Sequence, residues 1–206
     1  MLKTGLTGSI GMGKTTTAEM FRQAGIPVYD ADQTVHQIYG GEAVEPVEHA
    51  FPGVTIDGRI NRKLLAQKLI DSPSALSILE KIVHPLVHQK ELCFLKKQRA
   101  AGHRIVILDI PLLFETGRQD LKEDGTRKSE SVDCIIVVTA HRDVQKKRVL
   151  ARSGMTTDKF DLIMNRQLPD VDKCKRAHFL INTDQGIPAA KLQVRDVLRA
   201  LAYVQR

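Results

Sequence analysis

The segment Gly8-Ser9-Ile10-Gly11-Met12-Gly13-Lys14-Thr15 fits the pattern Gly-x-x-x-x-Gly-Lys-Ser/Thr without a gap. Residues 2–6, which precede it, resemble a short strand, and residues 15–22 can continue as a helix. A glycine-rich turn in that position wraps backbone N–H groups around phosphate oxygens at the positive end of the helix dipole. The motif therefore predicts a strand, a phosphate-binding loop and a helix over residues 2–22.

This phosphate loop, residues 8–15, also carries side chains that suit a nucleoside triphosphate. Lys14 can reach the β- and γ-phosphates, and the Thr15 hydroxyl can ligate Mg²⁺. Backbone N–H groups of residues 11–16 would surround the phosphate oxygens. The predicted nucleotide-binding residues are Gly8, Gly11, Met12, Gly13, Lys14, Thr15 and Thr16. The motif alone leaves the second substrate open.

Composition excludes several classes of protein. The 206 residues, 42% of them hydrophobic, suit one compact unit or a core with small insertions. The apolar run at residues 134–138 has the length of a buried strand, so no membrane association is expected. No signal peptide is expected before the strand at residues 2–6. Cys93, Cys134 and Cys174 lie far apart without metal-ligand spacing, which favours a reducing cytoplasm.

The net charge of +7 is compatible with two kinds of partner. Nucleic acid is one, and a polyphosphate substrate is the other. The basic residues are spread over several predicted helices and form no tract interleaved with aromatic residues. We therefore expect a small-molecule substrate and no nucleic acid. Composition leaves the oligomeric state open, and a monomer is compatible with it.

Apolar runs alternate with helical patterns along most of the chain. The runs that we assign to strands cover residues 2–6, 26–30, 104–110, 134–139 and 178–182. An amphipathic pattern at residues 189–204 predicts a closing helix. Apolar strands separated by helices favour an α/β fold with a parallel sheet covered on both faces.

Two helical segments interrupt this alternation. Between the second and third strands, residues 62–70, 74–83 and 85–101 show helical spacing, and Ser72 and Pro73 resemble a helix cap and first turn. We predict a second-substrate domain at residues 33–102, although these helices could instead only cover the sheet. The second segment, residues 142–176, is rich in basic side chains and could close over phosphates as a lid, or simply face solvent. Residues 1–32, 103–141 and 177–206 then form the core, and the polar stretch 117–131 is predicted to be a surface loop.

Carboxylates follow two of the predicted strands, at the sheet edge where ligands of parallel sheets bind. Asp30 and Asp32 follow the second strand. Either could orient a hydroxyl and accept its proton, or act as an outer-shell partner of Mg²⁺, and Asp30 could instead cap the next helix. Asp109 ends the third strand and could contact Mg²⁺ through water or bind the phosphate loop. Leu112, Leu113 and Phe114 could form an apolar wall for a ligand or belong to the core.

These segments together resemble the dephospho-coenzyme A kinase family over nearly the whole length. The matching residues are 5–15, Asp30-Ala31-Asp32, 57–62, His84-Pro85-Leu86, Pro111-Leu112-Leu113-Phe114-Glu115, 165–169 and Ile181-Asn182. The phosphate loop is shared by very many NTPases, whereas the acidic, His-Pro and Pro-Leu-Leu-Phe-Glu segments in this order are more specific.

The resemblance implies transfer of a phosphoryl group from ATP, with Mg²⁺, to the ribose 3′-hydroxyl of dephospho-CoA. It implies a three-layer P-loop kinase core with a helical CoA-binding insertion and a helical lid. It implies that Asp32 is the catalytic base, that Lys14 and a lid residue, Arg142, are catalytic, and that Arg166 is a weaker candidate. The residues that it implies for the acceptor are Thr7, Asp32, His84, Leu112, Leu113, Phe114 and Glu115.

The chain departs from the family pattern in two places. Position 178, where the family usually has Asp, is His178, and we expect a structural role there. The polar stretch 117–131 is longer than the family's usual connection. Two other functions remain open: a P-loop kinase for another small molecule, such as a nucleoside or a shikimate-like acceptor, and a regulatory or nucleic-acid-dependent NTPase. A GTPase would normally show Asn-Lys-x-Asp, which Asn182-Thr183-Asp184 does not supply.

Overall fold

A computed structural model describes residues 1–70, 74–115 and 132–204. Ser72, Pro73 and the stretch 117–131, for which the sequence predicts a helix start and a loop, lie outside the described residues. The chain divides into two compact units. The sheet unit comprises Met1–Tyr29 and Gln98–Arg206, and the helical unit comprises Asp30–Lys97.

The described residues contain all five strands that the sequence predicts, together with a further pair of short strands. In chain order they are β1 (Leu2–Thr7), α1 (Lys14–Gln23), β2 (Val28–Asp30), α2 (Ala31–Ile38), α3 (Val44–Ala50), β3 (Thr55–Ile56), β4 (Arg59–Ile60), α4 (Arg62–Ile70), α5 (Ala75–Ala100), β5 (Ile105–Asp109), β6 (Cys134–Thr139), α6 (Arg142–Leu150), α7 (Thr157–Arg166), α8 (Asp170–Lys175), β7 (Phe179–Asn182) and α9 (Gly186–Val204).

The sheet unit is built on five strands in the order β2-β5-β1-β6-β7. Strand β1 pairs in parallel with β5 and β6, and β6 pairs in parallel with β7. The central register places Leu6 opposite both Asp109 and Ile136. The runs of branched apolar residues in β5 and β6 are buried because helices flank a central parallel strand on both faces. The predicted parallel α/β sheet is confirmed.

The helical unit has its own apolar core, which Ile38, Val47 and Val54 help to form. It contains a two-stranded antiparallel hairpin that the sequence analysis did not predict, β3–β4. Asp57 and Gly58 join the two strands with φ values of 48° and 70°. A two-residue Asp-Gly turn with both φ angles positive suits a tight hairpin, but strands of two residues are too short to leave a periodic pattern.

The prediction of separate helices at residues 74–83 and 85–101 is wrong, because α5 runs unbroken from Ala75 to Ala100 with Pro85 inside it. Proline removes one helical hydrogen bond and typically costs about 3 kcal/mol in a helix interior. Pro85 is exposed, so water can reach the carbonyl that loses its donor. Leu79 and Val83 before the proline are buried in the core of the helical unit, and Leu86 and Val87 after it pack against the same core, which stabilises the continuous helix.

The three cysteines have free thiols and differ in exposure. Burial raises the pKa of Cys134 to about 11, and burial also raises the pKa of Cys174. Cys93 is exposed on α5. Since the thiolate is the reactive form, we expect a disulfide reagent at pH 8 to modify Cys93 rapidly and the other two only after denaturation. A Cys93→Ser variant should lose the rapid phase; rapid modification of two thiols in the native wild type would contradict this expectation.

No helix in the described ranges is both long and apolar enough to span a bilayer.

Candidate active site

The phosphate loop has the conformation that its glycines predict. Gly11 and Gly13 have φ values of 80° and 95°, which non-glycine residues rarely adopt. A Cβ atom on Gly8 would lie 2.6 Å from the Val138 carbonyl oxygen. The loop therefore passes close against β6 and turns directly into α1, where Lys14 is the first helical residue.

The N-terminus of α1 is open to an anion. Its N-cap, Gly13, makes no side-chain capping bond, and no acidic residue lies in the first turn. The first N–H groups of a helix have no partner within the helix and carry the positive end of its dipole. An anion placed here would be stabilised by both effects.

Lys14 and Asp109 form an ion pair beneath the loop. The Lys14 Nζ lies 2.5 Å from Asp109 Oδ1, and the two side chains are 15% and 3% exposed. This arrangement agrees with the second sequence interpretation of Asp109, in which the carboxylate binds the phosphate loop. It holds the Lys14 ammonium at the carboxyl end of β5, where the adjacent strand β1 leads into the loop.

Thr15 is exposed, and its hydroxyl makes no hydrogen bond with any residue that the structure describes. Over the same residues, no cluster of three or more His, Cys, Asp or Glu side chains could hold a metal. An oxygen donor without a full protein cage fits Mg²⁺, which usually keeps waters and takes one or two protein ligands beside substrate phosphates. The donor set at Thr15 therefore fits Mg²⁺ that arrives with a nucleotide.

The segment after β5 packs mostly inward. The fully buried Thr7 hydroxyl donates to the Pro111 carbonyl over 3.0 Å. Leu113 and Phe114 are also buried, whereas Leu112 is 45% exposed. Leu113 and Phe114 therefore belong to the core, which was one of the two alternatives for them. Of the three apolar residues, only Leu112 presents a surface to a ligand.

Glu115 connects this segment to the predicted lid. One of its carboxylate oxygens accepts a hydrogen bond from the Leu168 N–H at 3.0 Å and lies 3.1 Å from the Nζ of Lys173, which is fully buried. Burial raises the pKa of Glu115, but the Leu168 N–H and the Lys173 charge outweigh it and leave the pKa below its usual value. The negative charge of Glu115 offsets the positive charge of the buried Lys173 ammonium. Next to this pair in the sequence, the guanidinium carbon of Arg176 lies 5.9 Å from the centre of the Phe114 ring.

Helix α6, at the other end of the predicted lid, contacts the phosphate loop. Arg148 donates to both the hydroxyl and the carbonyl of Thr183, each over 2.8 Å. The Thr183 hydroxyl in turn donates to the Met12 carbonyl over 2.8 Å. Arg142, the first residue of α6, is exposed, and its side chain makes no hydrogen bond or ion pair with any described residue. Arg166 is likewise exposed, at the end of α7.

Two glutamines bind the backbone of Ile10 in the phosphate loop. The Ile10 carbonyl accepts from Gln145 Nε2 at 2.8 Å, and the Ile10 N–H donates to Gln167 Oε1 at 3.2 Å. The sequence analysis assigned no role to these glutamines or to Thr183, although Gln167 lies in the segment 165–169 that matches the family. The one available signal is that Gln145 lies a helical turn before Val149, so it shares the buried face of α6.

A cleft of about 290 Å³ adjoins the loop within the sheet unit. It is lined in part by Gly13, Thr16, Arg148, Thr183 and Ile187. Its lining combines hydroxyl groups, the guanidinium groups of Arg148 and Arg152, and the apolar side chain of Ile187.

The helical unit contains a cleft of about 490 Å³ with Asp32 on its wall. Leu65 and Leu69 line the same cleft, and the Arg62 guanidinium lies 5.7 Å from the ring centre of Tyr39. Burial raises the pKa of Tyr39, and the nearby Arg62 charge partly opposes that rise. The cleft thus combines a carboxylate, a cation and an apolar wall.

Asp30 and His84, the other polar candidates of this unit, occupy different positions. Asp30 is the N-cap of α2 and accepts from the Gln33 N–H over 2.8 Å, as one sequence alternative predicted. The Asp30 carboxylate is therefore used as a helix cap, whereas the Asp32 side chain is exposed. His84 is exposed on α5 and does not line the Asp32 cleft.

His178 has the structural role that we expected. Its side-chain Nδ1 accepts a hydrogen bond from the Ile135 N–H over 3.2 Å. The backbone N–H of His178 donates to the Ile135 carbonyl. The side chain therefore extends the pairing of β6 and β7 by one residue, as a carboxylate at this position also could.

Comparisons with known proteins agree on one family. The family model described as dephospho-CoA kinase matches residues 2–189. A dephospho-CoA kinase of Rhodopseudomonas palustris is 47% identical over 206 residues, covering 100% of this chain and 98% of the relative. A crystal structure of a Thermus thermophilus protein matches with a TM-score of 0.79 and 29% identity, covering 97% of this chain and 96% of that one. A dephospho-CoA kinase from Campylobacter jejuni has the same fold, with a TM-score of 0.69, 22% identity and coverage of 99% and 98%.

Proposed function

The chain belongs to the dephospho-CoA kinase family, and from that premise we propose which of its residues bind ATP, which bind the acceptor and which transfer the proton. The protein is a kinase that phosphorylates the ribose 3′-hydroxyl of dephospho-CoA, with ATP as the donor, in coenzyme A biosynthesis. Its three free thiols suit a reducing compartment, and we place the reaction in the cytoplasm.

The donor site is the phosphate loop with the N-terminus of α1. The open first turn of α1 would bind the β- and γ-phosphates, and Lys14 would add a positive charge beside them. The cleft of about 290 Å³ beside Gly13 and Thr183 would take the nucleoside end, since it adjoins the loop and offers both polar and apolar walls. Arg142 would supply a further charge from the lid, because its guanidinium is exposed and unbonded within the described ranges.

Mg²⁺ would be held by the Thr15 hydroxyl and the phosphates of ATP. Bound there, the ion would offset the negative charge of the phosphates. The exposed Thr15 side chain, whose hydroxyl binds none of the described residues, supports this assignment.

The acceptor site is the cleft of the helical unit, and one observation carries this assignment: Asp32 and Arg62 line the same cavity. Dephospho-CoA presents ribose hydroxyls, a diphosphate, a planar base and a long tail with alkyl segments. Asp32 can orient the hydroxyl and accept its proton, Arg62 can bind the anionic diphosphate, and the leucine side chains can contact the apolar parts. A small carboxylate acceptor, such as a shikimate-like molecule, would not need the leucine side chains of this cleft.

The proposed step is an in-line transfer of the γ-phosphoryl group. The backbone N–H groups of residues 11–16 and Lys14 stabilise the charge on the transferring group, and Asp32 takes the proton of the attacking hydroxyl. Closing of the predicted lid would exclude water, which would otherwise compete as the acceptor.

Replacing Arg62 tests the acceptor site. We expect Arg62→Met to raise KM for dephospho-CoA roughly tenfold, since a charge-assisted hydrogen bond contributes about 1.5 kcal/mol. KM for ATP should stay within about twofold, because the donor loop does not include Arg62. Steady-state kinetics with each substrate varied in turn would measure both constants.

Lys63→Met is the matched control, because Lys63 is the next residue of α4, carries the same charge and does not line the cleft. It should leave both constants near wild type. A KM for dephospho-CoA that is unchanged in Arg62→Met, or raised equally in Lys63→Met, would place the acceptor elsewhere.

A further inference from the structure

The strongest unexplained feature of the sheet unit is the pair of glutamines on Ile10. Ile10 is the third residue of the phosphate loop, and both of its backbone groups bind side chains rather than other backbone. Gln145 is 1% exposed, so its side-chain amide is buried in the protein interior. A backbone N–H and C=O bound at one residue restrict its φ and ψ angles, much as a strand partner does.

The two glutamines come from different parts of the predicted lid. Gln145 belongs to α6, which is also joined to Thr183 through Arg148. Gln167 is the C-cap residue of α7. Its bond to the Ile10 N–H can exist only while the end of α7 lies beside the loop. The Gln145 Nε2 also lies 3.4 Å from the Met164 sulfur, so α7 contacts the same amide that binds the Ile10 carbonyl.

The part of the lid segment that follows α7 makes more polar contacts with the rest of the sheet unit than α7 itself does. Leu168 and Lys173 contact Glu115, and Thr139 donates to Asp170 at the start of α8. By contrast, Phe160 is the one buried residue of α7. An element with few buried contacts has low local stability, so α7 is the part of the described lid whose position can change most easily.

We propose that Gln145 and Gln167 are positioning residues that hold the phosphate loop in its ATP-binding shape, and that Gln167 couples the position of α7 to the loop through the Ile10 N–H. The glutamines act through Ile10 and need not touch the nucleotide. ATP then binds a loop that is already ordered, and by reciprocity bound ATP holds α7 in place. The proposal rests on ATP binding at the loop and is independent of the role of Asp32.

Gln167→Met in the full chain tests the proposal, because methionine keeps the length of the side chain and removes the acceptor. Loss of one hydrogen bond of about 0.5–1.5 kcal/mol predicts a Kd for a non-hydrolysable ATP analogue that rises roughly two- to tenfold. KM for ATP should rise by a similar factor, with KM for dephospho-CoA unchanged. Hydrogen exchange of the Ile10 amide should become faster, and the analogue should protect the α7 amides in wild type more than in the variant.

Gln193→Met is a matched control. Gln193 binds both backbone groups of Asn182, at 2.8 Å for the N–H and 2.7 Å for the carbonyl, so the variant removes a similar pair of bonds from another part of the unit. It should lower the melting temperature but leave the analogue Kd within about twofold. Gln145→Met supplies a second variant and should weaken analogue binding if Gln167→Met does not fold.

Two results would overturn the proposal. One is an analogue Kd that is unchanged in both the Gln145 and Gln167 variants. The other is an increase of the same size in Gln193→Met, which would show that weaker binding follows from general destabilisation. Isothermal titration calorimetry, with melting curves on the same samples, distinguishes these results from the expected one.

Discussion

Asp32→Asn is expected to lower kcat by on the order of a hundredfold or more while leaving the affinity for an ATP analogue near wild type. Asparagine keeps the size of the side chain and its ability to bind a hydroxyl, but it cannot take up the proton. Asp32 is exposed on the first turn of α2 and lines the acceptor cleft, so the change leaves no buried group unpaired. Protein stability should therefore stay nearly constant.

Asp30→Asn is the control that separates chemistry from local structure. Asp30 is the N-cap of the same helix, and asparagine caps a helix about as well as aspartate. This variant removes the same charge two residues away and should retain most of the activity. Single-turnover rates and analogue titrations on both variants measure the effect. Equal losses in the two variants, or wild-type turnover in Asp32→Asn, would exclude Asp32 as the base.

The sheet could be predicted because its signals are local. The runs of branched apolar residues at β5 and β6 are long enough to indicate buried strands, and the glycine spacing at residues 8–15 determines the turn that follows β1. The cap at Asp30 was also predictable, since an acidic residue before a helix often binds its first turn. Each of these features depends on residues that are close in the sequence.

Pro85 shows where local signals fail. Proline usually ends or kinks a helix, and the apolar spacing predicts one helix before His84 and another that begins at Pro85. The continuous α5 forms because residues on both sides of the proline pack on one apolar core, which only the folded helical unit supplies. Tertiary packing therefore outweighs the local preference at this position.

The candidate site was predictable in its motif and not in its supporting contacts. Gln145 and Gln167 lie 135 and 157 residues from Ile10, and Thr183 lies 171 residues from Met12. Such pairs have no sequence spacing that could reveal them without the fold. Leu113 illustrates the converse: its apolar character fits either a ligand wall or the core, and only its burial distinguishes the two.

Lys14→Met should have the largest effect on catalysis, a loss of roughly a thousandfold in kcat/KM, because it removes a cation from the transferring phosphoryl group. The Lys14–Asp109 ion pair complicates this measurement. Without Lys14, the carboxylate of Asp109, which is 3% exposed, loses its opposite charge. Removing one partner of a buried ion pair typically costs about 3 kcal/mol of folding stability. A single variant would therefore mix a catalytic loss with a structural one.

The double variant Lys14→Met/Asp109→Asn separates the two losses. Asparagine has nearly the shape of aspartate and no charge, so the double variant should recover most of the free energy of unfolding lost in Lys14→Met. It should recover none of the activity, because the cation is still missing. Urea denaturation and kcat/KM for ATP, measured on both single variants and the double variant, give the full cycle. If activity returned together with stability, Lys14 would be a structural partner of Asp109 and the phosphoryl group would be stabilised by other residues.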